Sequence, residues 1–140
     1  MQITTSRKPS PRSRRFAKTL AGFLGVPYLT RGKSSLDPDE VWMLVVEDHG
    51  SPRGIVKRTE DREEEICFVV SSETRVQKLK RQRPRVTGDL EFAKTLAEFF
   101  GLEWTLENGD VRTIRVGHDE IEFVDGKETI LRLKGYERAR

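Results

Sequence analysis

Residues 4–15, Thr-Thr-Ser-Arg-Lys-Pro-Ser-Pro-Arg-Ser-Arg-Arg, mix hydroxyl side chains with Arg7, Lys8, Arg12, Arg14 and Arg15 and contain no acid. Cationic groups beside hydroxyls suit phosphate recognition, because several charge-assisted hydrogen bonds can converge on one anion. Ser10-Pro11 reads as a helix N-cap followed by proline at the first helical position. A helix N-terminus carries partial positive charge and favours acids in its first turn. This chain places Arg12, Arg14 and Arg15 there instead. With Thr5, Ser6, Ser10 and the backbone N–H groups of the helix start, they form a predicted phosphate-binding set. Arg31 and Lys33 extend it.

The charge of the whole chain is segregated. The sequence has 140 residues, 26 basic and 23 acidic, for a net charge of +3 at pH 7. Residues 1–33 hold eight basic side chains, Lys18 among them, and no acid. Residues 75–85 add Arg75, Lys78, Lys80, Arg81, Arg83 and Arg85, again without an acid. Only 12 basic side chains then face the 23 acids of the remainder. Interspersed acids would mark an ordinary solvated face. Their absence predicts a docking surface for a polyanion.

Other chemistry finds little support. Gly32-Lys33-Ser34 lacks the glycine that a phosphate-binding loop needs five residues before Gly32, since Pro27 stands there. His49 sits in an expected turn and His118 between strands, and neither belongs to a spaced ligand set. No catalytic residue, metal site or cofactor is expected. Cys67 is the single cysteine, in an apolar strand-like run, and is expected to be a buried structural thiol. Trp42, Tyr28 and Trp104 lie in apolar segments and are expected in the core rather than as base-stacking platforms. No apolar run reaches membrane-spanning length, and a cytoplasmic location is expected.

The positioning elements follow from periodicity. Residues 2–5 read as a strand. Phe16, Leu20, Phe23 and Leu24 recur at helical spacing, Arg14, Arg15 and Lys18 fall on the opposite side, and Gly25 supplies the stop. Residues 26–30 and 41–46 read as strands, 48–52 as a turn, 54–59 as a partner strand and 60–65 as an acidic loop. Strand 66–70 precedes the second basic block. Phe92–Gly101 then repeats Phe16–Gly25 with eight of ten residues identical at an offset of 76. This second helix is expected to begin over Thr87–Glu91, with acids in its first turn. Strands are expected over 111–116, 120–124 and 129–133, with Asp125-Gly126 as a hairpin signal. The repeat predicts an α/β chain of two structurally similar halves, 1–62 and 63–140, each a mixed sheet with a packed helix, within a single domain spanning 1–140.

The string Ile3-Thr4-Thr5-Ser6-Arg7-Lys8-Pro9-Ser10-Pro11-Arg12-Ser13-Arg14-Arg15-Phe16, with Arg31-Gly32-Lys33-Ser34-Ser35-Leu36 after it, resembles the start of an archaeal Brix-domain protein. The resemblance is strong over residues 3–36 and weak beyond. It implies ribosome biogenesis, with binding of ribosomal RNA or its precursor and contact with other ribosome assembly proteins. It also implies two halves that each resemble the anticodon-binding domain of class II aminoacyl-tRNA synthetases. Segment 37–65 lacks the long helix that this pattern implies between the second and third strands. No catalytic residue carries over, and no enzyme activity is expected. Two alternatives stay open: a protein-interaction module docking acidic partners of the assembling particle, and an RNA-processing enzyme, which the missing catalytic constellation disfavours.

Overall fold

The computed structural model describes residues 1–31, 40–74, 79–107 and 112–139. Strand β1 (Gln2–Thr5) leads through a short loop into helix α1 (Pro11–Leu24). The helix starts where Ser10-Pro11 places it, with the Ser10 hydroxyl accepting the Ser13 N–H at 3.1 Å. Gly25 ends it in the left-handed region at φ 71°. A Cβ at that position would stand 3.0 Å from the Gln82 carbonyl oxygen, so glycine also permits a close backbone crossing.

One stripe of α1 is buried. Phe16 tilts against Phe68 with ring centroids 5.6 Å apart, and Phe23 meets Phe123 edge-on at 5.3 Å. Leu20 and Leu24 complete the stripe. Full burial of each such side chain contributes about 1.5–3 kcal/mol. Arg12, Arg14, Arg15 and Lys18 remain exposed on the other side, as the periodicity requires.

Past Gly25 the chain makes a single parallel bridge, Tyr28 with Ile3, where a five-residue strand is expected. Strand β2 (Trp42–Asp48) lies parallel to β1 and joins β3 (Ser51–Arg58) through a two-residue turn. His49 and Gly50 both take positive φ there, 51° and 80°. That backbone matches the right-handed twist of paired strands.

Next come β4 (Glu63–Glu73), β5 (Arg85–Thr87), helix α2 (Glu91–Phe100), β6 (Trp104–Thr105), β7 (Thr113–Val116), β8 (Glu120–Asp125) and β9 (Glu128–Ala139). The nine strands among the described residues join one mixed sheet in the order β1-β2-β3-β4-β9-β8-β7-β5-β6. The β1–β2, β5–β6 and β5–β7 pairs are parallel, and the other pairs are antiparallel. Both helices bury their apolar stripes in one continuous core.

Three boundaries differ from expectation. The acidic stretch 60–65 is a loop only to Arg62, because Glu63 and Glu64 pair in register with Arg58 and Lys57 of β3. Opposite charges directly across a ladder stabilise strand structure that composition alone reads as a solvated loop. The helix expected from Thr87 starts at Glu91. Thr87 belongs to β5, and Gly88 takes φ 144°, where a Cβ would fall 2.7 Å from the Val116 carbonyl oxygen. Strand β9 runs six residues beyond the expected Leu133, carried by its pairing with β4.

The aromatic residues serve packing. Trp42 is buried, and the half-buried Trp104 donates its indole N–H to the Gly88 carbonyl at 2.9 Å. Tyr28 is half-buried against the core. Cys67 is half-buried rather than fully enclosed. Burial, with Glu65 and Glu137 nearby, pushes its thiol above the ordinary value.

Candidate nucleic-acid interface

The start of α1 is built by residues far apart in sequence. Glu47, near the end of β2, accepts the Ser10 backbone N–H at 3.2 Å and the Ser13 hydroxyl on the same carboxylate oxygen. The Ser13 hydroxyl, with the Ser10 backbone N–H, holds the Glu47 carboxyl below its ordinary value, against an opposing effect of burial. The Ser10 hydroxyl donates to the Gly50 carbonyl at 2.7 Å while accepting from Ser13 N–H. A carboxylate therefore does reach the positive end of this helix, delivered by tertiary structure instead of by the first turn.

This arrangement changes the chemistry of the predicted site. Pro11 has no N–H, Ser13 N–H is capped and Ser10 N–H is held by Glu47. Few backbone donors are left for a phosphate. Thr5 is 1% exposed with its hydroxyl on the Ser6 carbonyl, and the Ser10 hydroxyl serves the cap. The absence of a first-turn acid thus needs no ligand to explain it. What remains available is the set of cationic side chains.

Arg7, Lys8 and Arg14 are exposed and have no ion-pair partner among the described residues. Ser6 is exposed beside them. Arg12 is exposed and donates to the Ser51 hydroxyl at 2.7 Å, while Arg15 pairs with Glu73 at 3.0 Å. Arg12, Arg15, Ser71, Ser72 and Glu73 line a polar cleft of about 220 Å³ beside the helix start. The parallel bridge of Tyr28 with Ile3 sends both segments the same way. It carries half-buried Arg31 toward the end of the sheet where Ser6 and Arg7 begin. Lys33, Arg75 and Lys78 lie outside the described residues, as does Gly32-Lys33-Ser34.

The second basic block divides in the fold. Lys80 and Arg81 are exposed beside the C-terminal end of α1, where Lys80 and Gln82 present their carbonyls to Arg112. Arg83 donates instead to the Gly101 carbonyl at the end of α2, at 2.9 Å, and Arg85 faces Glu103 at 3.7 Å. Ion pairing separates the blocks from the rest of the chain. Outside them, among the described residues, Arg58, Arg62, Arg112, Arg132 and Arg138 are paired with acids, leaving Arg53, Arg115 and four lysines. Inside them, among the described residues, only Arg15 and Arg85 are. Excess cations are concentrated where the sequence lacks acids.

Glu47 and Arg112 are the two residues that sequence reasoning does not single out. Both act across long separations, and neither has a local pattern that announces it. Among the described residues no group of three or more His, Cys, Asp and Glu side chains is placed to hold a metal ion. No described helix is long and apolar enough to cross a membrane.

Together these features define a single-sheet mixed α/β protein with a segregated basic surface. Comparison with known proteins gives the family. No protein-family model matches the chain. A Methanococcoides burtonii protein described as a "probable Brix domain-containing ribosomal biogenesis protein" is 30% identical, over 99% of this chain and 97% of its own length. A protein of the same description from Methanothermobacter thermautotrophicus is 34% identical over 74% of this chain and 71% of its own length. The crystal structure of Mil, an archaeal Imp4-like protein, superposes with a TM-score of 0.79, at 29% identity and with 99% of each chain covered. A protein from Aeropyrum pernix described as a "probable ribosomal biogenesis protein" shares the fold, with a TM-score of 0.62 at 20% identity over 95% of this chain and 94% of its own. The chain belongs to the family of Brix domain-containing ribosomal biogenesis proteins.

Proposed function

We propose that this chain acts in ribosome assembly by binding ribosomal RNA or its precursor through the basic strand-to-helix segment, without catalysis. The observation that carries the reading is the start of α1. Glu47 and the Ser10 cap meet the polar needs of the helix, and Arg7, Lys8, Arg12 and Arg14 project outward with no acid partner among the described residues. Arg15 and Arg31 flank this group, Ser6 adds a hydroxyl, and Lys80, Arg81, Arg83 and Arg85 supply further cations. Thr5 and Ser10 shape the segment and leave phosphate contact to the cations. Contacts of this kind give affinity and register with little base choice, so specificity rests on RNA shape and on assembly proteins bound alongside.

We also propose that residues 1–62 and 63–140 are two similar halves in the manner of the synthetase anticodon-binding domain. The 76-residue repeat supports this, as does the strand order. A parallel strand pair straddles each helix, and the β4–β9 pair lies between the two sets.

Titration of transcribed fragments tiling an archaeal precursor ribosomal RNA, at several salt concentrations, tests the RNA reading. Replacing Arg12, Arg14 and Arg15 by Ala should reduce the slope of log K against log salt by about 2, since each phosphate no longer neutralised lowers it by about 0.7–0.9. An unchanged slope would remove the site. Tight binding to an acidic assembly protein with negligible RNA affinity would instead assign the surface to protein docking.

A further inference from the structure

The two basic blocks are distant in sequence, yet the fold lays one beside the other. Glu73, at the end of β4, meets Arg15 in the first half of α1. Leu79 packs on Gly22, where a Cβ would lie 3.6 Å from its methyl carbon, and the backbone of Gln82 crosses Gly25. Arg15, Lys18 and Gly22 follow at intervals of three and four residues, so they share one stripe of the helix. Arg15 and Gly22 are about 10 Å apart along the axis. Glu73, Leu79 and Gln82 therefore meet α1 in turn from its first half to its C-terminus.

Arg112 locks this arrangement. Its side chain is 0% exposed. One terminal nitrogen donates to the carbonyls of Phe23 and Gln82, each at 3.0 Å, and to that of Gly22 at 3.2 Å. The other donates to the Lys80 carbonyl at 2.7 Å. Asp125 faces the guanidinium at 3.4 Å, and the group lies 5.4 Å from the centre of the Phe23 ring. One planar fork thus binds the last turn of α1 and the second block at Lys80 and Gln82 at once. Position 22 completes the contrast with α2. The residue 76 positions later is Glu98, whose bulk and charge would oppose both the packing of Leu79 and a basic track.

We infer that Lys18, Lys80 and Arg81 join the start of α1 in a single RNA-binding track, and that Arg112 is the positioning residue that holds the two blocks together. The inference rests on the RNA reading above and adds to it a central cation, a geometry and a clamp.

A mutant cycle with the same ribosomal RNA fragments tests it. Lys80→Ala with Arg81→Ala alters only exposed side chains and should lower the salt slope by about 2, and Lys18→Ala by about 1. Arg112→Lys should weaken binding and lower the slope in the wild-type background, with little further effect when Lys80 and Arg81 are already Ala. A merely structural role for Arg112 would weaken both backgrounds equally, and that result would overturn the clamp. Slope loss on changing Arg12, Arg14 and Arg15 but none on changing Lys80 and Arg81 would overturn the joined track and leave the RNA reading standing. Failure of the wild-type protein to bind any fragment would overturn both.

Discussion

Helices α1 and α2 share eight of ten residues over Phe16–Gly25 and Phe92–Gly101, yet their ends are satisfied by different means. Helix α2 carries Glu91 in its own first turn, with no side-chain cap, and Arg83 and Lys57 reach its last carbonyls from neighbouring segments. Helix α1 has neither an acid in its first turn nor a base in its last. Glu47 arrives at one end from β2 and Arg112 at the other from the residue before β7. Moving the complementary charges off the helix frees positions 12, 14 and 15 for arginines that face outward. In α2, where the first turn keeps its own acid, no such cluster appears.

The two helices should differ most in their dependence on Arg112. Arg112→Met leaves several carbonyls without a donor and should cost about 3 kcal/mol in urea unfolding. Arg83→Met, at the exposed end of α2, should cost about 0.3–1 kcal/mol. Equal losses would contradict the view that α1 depends on a buried clamp. Next comes Glu47→Gln, which removes a charged acceptor and should cost about 1.5 kcal/mol, against about 0.5 for Glu91→Gln.

The same carboxylate sets a pH dependence. Its folded-state value lies below the ordinary 4.5, so its contribution is present above that value and lost as pH falls through the folded-state value. Stability of the Glu47→Gln variant should therefore fall less on acidification than that of wild type, as measured by thermal melts across the acidic range. The smallest effect is expected at Lys94, which sits 4.8 Å from the centre of the Trp104 ring. Lys94→Ala should change stability by less than about 1 kcal/mol and leave RNA affinity unchanged. Its counterpart Lys18 lies over Tyr28 in the same way but on the proposed track. An equal loss of RNA affinity in both variants would erase the distinction between the helices.

Much of this fold is local and can be read from the chain. Ser10-Pro11 and Gly25 bound α1 within a residue, and Asp125-Gly126 marks the β8–β9 turn. The features that escape such reading depend on partners. Glu63, Glu64 and Glu65 look like a solvated loop until β3 and Arg138 are placed beside them. Thr87-Gly88-Asp89 resembles a helix start, but Thr87 is drawn into β5 by pairing with β6 and β7. The cations of the candidate site are legible as a charge block without acids. The hydroxyls are not, because Thr5 and Ser10 are consumed by neighbouring carbonyls. Arg112 binds atoms up to 90 residues away, and no spacing rule reaches that far.

On the proposed reading RNA lies along α1 and not along its near-copy α2. Photocrosslinking of the protein to precursor ribosomal RNA, followed by peptide mapping, addresses this directly. Crosslinks should concentrate in residues 6–18 and 80–83, spare residues 92–101, and diminish when Arg12 and Arg14 are replaced by Ala. Crosslinks concentrated on α2, or a pattern indifferent to those two replacements, would contradict the account.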